Sequence, residues 1–172
     1  MESARPRAEE RLCGPRAGQL HFAIWHMCHR SVTIRLCSLQ RAPIRRRKIL
    51  ASSKCDKILR EIWQRSADHD GWWVGNYILM PDHVHLFARP EIGAGRMAEW
   101  VQMWKSVSSR RIAAVLSIKP SIWQPEYFDR YLRSSENYSE KWHYVEQNAV
   151  RAGLVEIAEA WPYRGTINNL MF

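Results

Sequence analysis

No apolar run in this 172-residue sequence approaches the roughly 20 residues that a bilayer-crossing helix requires, so the chain is expected to be soluble and without a membrane partner. Cysteine is scarce. Cys13, Cys28, Cys37 and Cys55 contain no C-x-x-C pair and no dense framework, which excludes a disulfide scaffold and points to a reducing cytoplasm. There is no internal repeat and no low-complexity segment. The opening residues, Met1 to Gly18, mix Arg5, Arg7, Arg11 and Arg16 with Glu2, Glu9 and Glu10 and lack the apolar stretch of a signal peptide; a loose basic tail is expected there. Acids are also in short supply: 17 against 26 lysines and arginines, a formal charge of +9. That balance favours a polyanionic partner, nucleic acid foremost, through counterion release and electrostatic steering.

What the chain does have is apolar material. At 46% hydrophobic residues with nine tryptophans, it has enough to build one domain with a substantial core, expected over residues 19–172. Loose alternation at Leu20 to Trp25 and again at Ser31 to Leu36 suggests an early strand or hairpin. Ile49, Ile58, Ile62 and Trp63 recur near helical spacing among Arg45, Arg46, Arg47, Lys48, Lys54 and Lys57, which predicts a basic amphipathic helix from Ile44 to Ala67. Trp72 to Met80 reads as a strand, Pro81-Asp82 as an interruption, and His83 to Ala88 as a second strand.

A stripe of Met97, Val101, Trp104, Ile112 and Val115 predicts a helix over Met97 to Leu116, stopped by Pro120. Trp123 to Leu132 is expected to be extended or irregular. Ser134 or Ser135 can cap a last helix that runs to Gly153, a residue suited to a left-handed helix end. The order strand, helix, strands, helix, strand, helix describes an α+β sandwich with a largely antiparallel sheet covered by helices.

The sharpest local feature is the run Met80-Pro81-Asp82-His83-Val84-His85-Leu86-Phe87. The period of two along a strand puts His83 and His85 on one face, while Val84, Leu86 and Ala88 point to the other and can pack under a helix. Two imidazoles so presented can ligate a metal. The alternative is a pair of histidines bonded to neighbouring groups. His26, Cys28, His29 and Cys37 do not fit the spacing of a structural zinc site. His21, His69 and His143 read as single surface or core residues.

In the last helix, Tyr138, Trp142, Val145, Ala149 and Ala152 form a stripe expected to be buried, and Tyr144, Asn148 and Arg151 form a second stripe at its edge. Tyr144 and Asn148 are one turn apart, a hydroxyl beside an amide. Tyrosine is a poor nucleophile at neutral pH unless a metal or base assists it. Two imidazole nitrogens and one amide oxygen would leave coordination positions open for phosphate oxygens, a mixed set that suits Mg2+ or Mn2+. A tyrosine at the boundary of the core, without chemistry, is the competing reading.

Together these residues resemble the REP-associated tyrosine transposases, a branch of the single-tyrosine HUH transposases, over roughly Leu20 to Arg164. The matching stretches are Met80 to Leu86, Lys105-Ser106, Trp123-Gln124, Phe128-Asp129 through Arg133, Tyr144 through Asn148 to Val155, and Trp161-Pro162-Tyr163. The resemblance implies a ferredoxin-like HUH sandwich, His83, His85 and Asn148 as metal ligands and Tyr144 as the nucleophile. It also implies attack on a phosphodiester that leaves a 5′-phosphotyrosine and a free 3′-hydroxyl, on single-stranded or hairpin-forming DNA such as repetitive extragenic palindromes. A monomer or a homodimer, acting at a bacterial nucleoid, is the implied setting. The sequence departs from the pattern at three places: Ile24 to Arg35 lacks the Thr-rich, Asn-Arg ending, Ala149 follows Asn148 where proline is common, and Pro81-Asp82 replaces Pro-Asn.

Lys105, Arg110, Arg111, Arg130, Arg133 and Arg151 are candidates for phosphate contacts, and Trp72, Trp73 and Trp104 for base stacking, against solvated-face and core-packing readings respectively. The basic run Arg45 to Lys48 is a further candidate for gripping duplex DNA. Two functions other than strand transfer fit the same residues. One is a domesticated, non-cleaving binder of DNA hairpins; the other is a hydrolase in which water attacks and Tyr144 only positions it.

Overall fold

The computed structural model describes residues 34–40, by backbone alone, and residues 48–132 and 134–170. The expectations for Met1 to Gly18, the strand at Leu20 to Trp25, the histidines and cysteines up to His29, and the basic residues Arg45 to Arg47 lie outside the described residues.

Strand β1 (Ile34–Gln40) is followed by helix α1 (Ser53–Asp70), strands β2 (Trp72–Leu79) and β3 (His83–Pro90), helix α2 (Met97–Leu116) and strand β4 (Phe128–Leu132). Then come α3 (Ser135–Glu146), the short α4 (Asn148–Arg151), a 3-10 turn at Ala158–Ala160 and strand β5 (Arg164–Thr166). The sheet order is β4-β1-β3-β2-β5, with every pairing antiparallel. The first six elements form the strand-helix-strand-strand-helix-strand succession of a ferredoxin-like sandwich. The α+β sandwich expected from the sequence is the architecture found. Among the described residues no helix is long and apolar enough to cross a membrane.

The two faces of the sheet bury different helices. Val84, Leu86 and Ala88 of β3 join Leu59, Ile62 and Trp63 of α1 and Trp104 and Ile112 of α2 in one core cluster. Phe87 of β3 and Ile78 of β2 belong to another, with Val145, Ala149, Leu132 and Trp161. A register shift between Val74 and Tyr77 lets Trp72 and Val74, then Tyr77 and Leu79, all face α1 and α2. Trp63 anchors that side, its ring 5.2 Å from Tyr77 and 5.7 Å from Trp104. At about 25 cal/mol per Å2 and roughly 150–250 Å2 per ring, each such side chain stabilises the fold by about 4–6 kcal/mol before entropy losses.

Helix ends follow local chemistry, and two of them differ from expectation. Helix α1 begins at Ser53 rather than Ile44, because the Ser52 hydroxyl accepts the Cys55 amide at 3.4 Å and its own backbone is extended. Ile49 therefore precedes the helix. Helix α2 has the predicted span, but the left-handed Ser117 ends it before Pro120 is reached, and Val115 is exposed. Ser134 caps α3 through the Asn137 amide, as anticipated. The chain bends at Gln147 between α3 and α4, which turns the expected last stripe residue, Ala152, out to solvent. Gly153 takes the left-handed conformation expected of it, φ 66°.

Candidate functional site

The alternation of β3 sends His83 and His85 to the same face as Phe87, which packs against Tyr138 and Trp142 of α3 at 4.8 and 5.9 Å between ring centroids. The two imidazoles stand nearly perpendicular with centroids 4.8 Å apart. Nδ1 of His83 is hydrogen-bonded to Asp82 Oδ1 at 2.8 Å. A carboxylate so placed fixes the ring with its proton on Nδ1 and leaves Nε2 as an acceptor.

His85 lies deeper. Burial first, then the repulsion that a second protonated ring at His83 would add, and then the charge of Arg151 push its pKa down to about 4, so the ring is neutral at ordinary pH. Its Nδ1 is buried without a hydrogen-bond partner among the described residues.

Val145 and Ala149 bury themselves in the cluster around Phe87 and Ile78, which holds the α3–α4 segment against the face that carries the histidines. On the same segment the second stripe forms a linked surface. The Arg151 guanidinium donates to the Tyr144 carbonyl at 2.9 Å and to the Asn148 amide oxygen, and it lies over the Tyr144 ring at 4.2 Å. Tyr144 itself is 61% exposed. Arg151 thus ties Tyr144 to Asn148, and its charge is the least of the three causes that lower the His85 pKa.

The segment is secured from behind. Glu146 pairs with His143 at 3.1 Å and with Arg164 of β5 at 3.2 Å. The Trp161 indole N–H donates to the Leu79 carbonyl at 2.9 Å, and the Leu79 amide donates to the Tyr163 carbonyl at 2.8 Å. The spacing of His143 and Glu146 hints at their pairing, but no sequence signal joins Glu146 to Arg164.

The donor set fits a divalent cation. Two imidazoles project to one sheet face, one of them held neutral with a buried nitrogen that has no partner among the described residues, and the Asn148 amide oxygen is carried by the segment packed against that face; a metal ligand must be unprotonated. Among the described residues no group of three His, Cys, Asp or Glu side chains is placed to hold a metal. A metal here would therefore depend on Asn148 as well as the histidine pair.

The other basic candidates are dispersed. Helix α2 covers the opposite face of the sheet, where Lys105 donates to the carbonyls of Gln124 and Pro125, Arg110 donates to the Ser106 hydroxyl at 3.1 Å, and Arg111 pairs with Glu61. That pairing with Arg111 lowers the pKa of Glu61. Arg130 lies on the edge strand β4, and Arg133 is outside the described residues. Trp72 and Trp104 are buried in the core, so they serve packing. Trp73 is half-buried, with its indole N–H on Glu91 at 3.4 Å.

Comparison with known proteins bears on the whole arrangement. The family model described as "Transposase IS200 like" matches residues 39–148, a span that includes the histidine pair, Tyr144 and Asn148. A REP-associated tyrosine transposase of Escherichia coli (strain K12) is 23% identical over 91 residues, 52% of this chain and 52% of its own length. A Haemophilus influenzae relative is 20% identical over 113 residues, 60% of this chain and 64% of its own. The chain thus spans about half to two-thirds of the length of these curated relatives. A solved REP-associated tyrosine transposase bound to a REP hairpin superposes with a TM-score of 0.61 at 18% identity, over 78% of this chain and 76% of that one, and so shares the fold. With a family match over more than half of its residues, the chain belongs to the IS200-like transposases.

Proposed function

We propose that this protein cleaves and rejoins DNA strands through Tyr144, acting on single-stranded or hairpin-forming ends, with Mg2+ or Mn2+ held by His83, His85 and Asn148. The observation that supports the reading is the packing of the α3–α4 segment, which bears Tyr144, Asn148 and Arg151, on the sheet face to which His83 and His85 project. The hairpin bound by the solved relative of like fold supports the substrate class.

In this reaction the Tyr144 phenol oxygen attacks phosphorus and loses its proton to solvent. The bond from phosphorus to the 3′ oxygen breaks, that oxygen takes up a proton, and the 5′ phosphate remains on the tyrosine. Attack by a 3′-hydroxyl reverses the step and joins strands. When bound, the cation withdraws charge from the phosphate under attack. Asp82 holds the His83 ring, burial keeps His85 neutral, and Arg151 fixes the Tyr144 ring and backbone while supplying positive charge beside it.

The test is a radiolabelled hairpin oligonucleotide incubated with Mn2+ and run on a denaturing gel. A labelled protein band that disappears in Tyr144→Phe, and with chelator, is expected. A gel shift without any such band would leave a hairpin-binding protein in its place, and cutting without a band would indicate attack by water.

A further inference from the structure

Strand β4 brings an aromatic side chain to the histidine face that the site has not yet used. Phe128 pairs with Ser38 of β1, and Ser38 pairs with His85 of β3, so all three share one row across the sheet. Residues directly opposite in antiparallel strands project to the same face, which places Phe128 on the His85 side, two strands or about 10 Å away. Leu132, on the same face of the same strand, is buried against α3 and fixes that orientation, yet Phe128 is 65% exposed. A phenyl ring left this open gains nothing for the core.

Its surroundings are cationic. Arg130 projects to the same side, one step along β4, and is exposed. A pocket of about 480 Å3 opens between β4 and α3, and the described residues that line it are Arg130, Tyr131, Leu132, Asn137 and Lys141. Lys141 also lies one turn before Tyr144, its Nζ 6.0 Å from the centre of that ring. An open aromatic face, two cations and a side-chain amide form the recognition set for a nucleotide: stacking for the base, charge for the phosphate and hydrogen bonds for a base edge.

We infer that Phe128, Arg130, Asn137 and Lys141 form a subsite for one unpaired nucleotide of the DNA strand that passes Tyr144, with its base stacked on Phe128. The subsite rests on the proposed DNA substrate but not on covalent chemistry, and its test separates the two. Binding is measured by fluorescence anisotropy in a Tyr144→Phe background, with a single-stranded thymidine oligonucleotide and with an abasic strand of equal length.

Phe128→Ala is expected to weaken the thymidine oligonucleotide by about 5- to 100-fold and to leave the abasic strand unchanged. Phe128→Trp should restore binding, and Lys141→Ala should weaken both strands. Because Phe128 is exposed, the alanine variant retains its fold, which circular dichroism checks. Equal binding by Phe128→Ala and its parent, or an equal loss on both strands, overturns the subsite. These results do not depend on whether Tyr144 forms an adduct, so a failed adduct assay leaves the subsite standing and a failed stacking assay leaves strand cleavage standing.

Discussion

The guanidinium of Arg151 covers the ring of Tyr144 at 4.2 Å and at the same time donates to the carbonyl oxygen of Tyr144 at 2.9 Å. It also holds the amide oxygen of Asn148, so a fixed cation lies where the proposed third metal ligand would bind. A divalent ion entering beside the histidines meets that charge. Arg151→Gln should therefore tighten Mn2+ binding, on the order of tenfold at low salt, measured by isothermal titration calorimetry. Unchanged or weaker binding would mean that Arg151 aids the ion rather than opposing it.

The helix that carries Tyr144 is docked on its own sheet through Phe87, with Tyr138 at 4.8 Å and Trp142 at 5.9 Å. The proposed site is therefore expected to be completed within one chain. Mixing a Tyr144→Phe protein with a His85→Ala protein should yield no DNA adduct, because neither chain supplies both groups. Recovery of adduct approaching about a quarter of the parental level at equal total protein, the most that randomly mixed dimers with one intact site each can give, would show instead that the tyrosine acts on a second copy.

Tyr77 gives an alkaline signature far from the site. Its hydroxyl donates to Asp56 at 2.8 Å inside the α1–β2 contact, and burial, followed by that hydrogen bond and the Asp56 charge, raises its pKa. The folded state holds the phenol proton more tightly than the unfolded chain does. This contribution is complete below the ordinary tyrosine pKa of about 10 and is lost as pH rises above it. Urea denaturation should show stability falling above about pH 10. Tyr77→Phe should cost about 1.5–3 kcal/mol near neutrality and flatten that fall, and a wild-type slope retained in the variant would refute the assignment.

Much of this was legible in the sequence where the signal is local. The span of α2, the cap at Ser134, the left-handed Gly153 and the common face of His83 and His85 all follow from spacing within one element. What was not legible depends on partners distant in sequence. Strand β5 has three residues, too few to show a period, and exists because β2 offers it an edge. The start of α1 turned on a single hydroxyl at Ser52, against a run of residues that read as helical from Ile44. Phe128 had no visible role because its relation to His85 passes through a third strand, and Arg151, read as a phosphate contact, also binds Asn148 within α4 and Tyr144 across the bend at Gln147.

The most direct test is to locate the covalent bond. After reaction with a hairpin substrate and Mn2+, exhaustive nuclease digestion and tandem mass spectrometry of the peptides should find a nucleotide joined through its 5′ phosphate to Tyr144. A nucleotide on a different side chain, or cleaved DNA with every peptide unmodified, would contradict it.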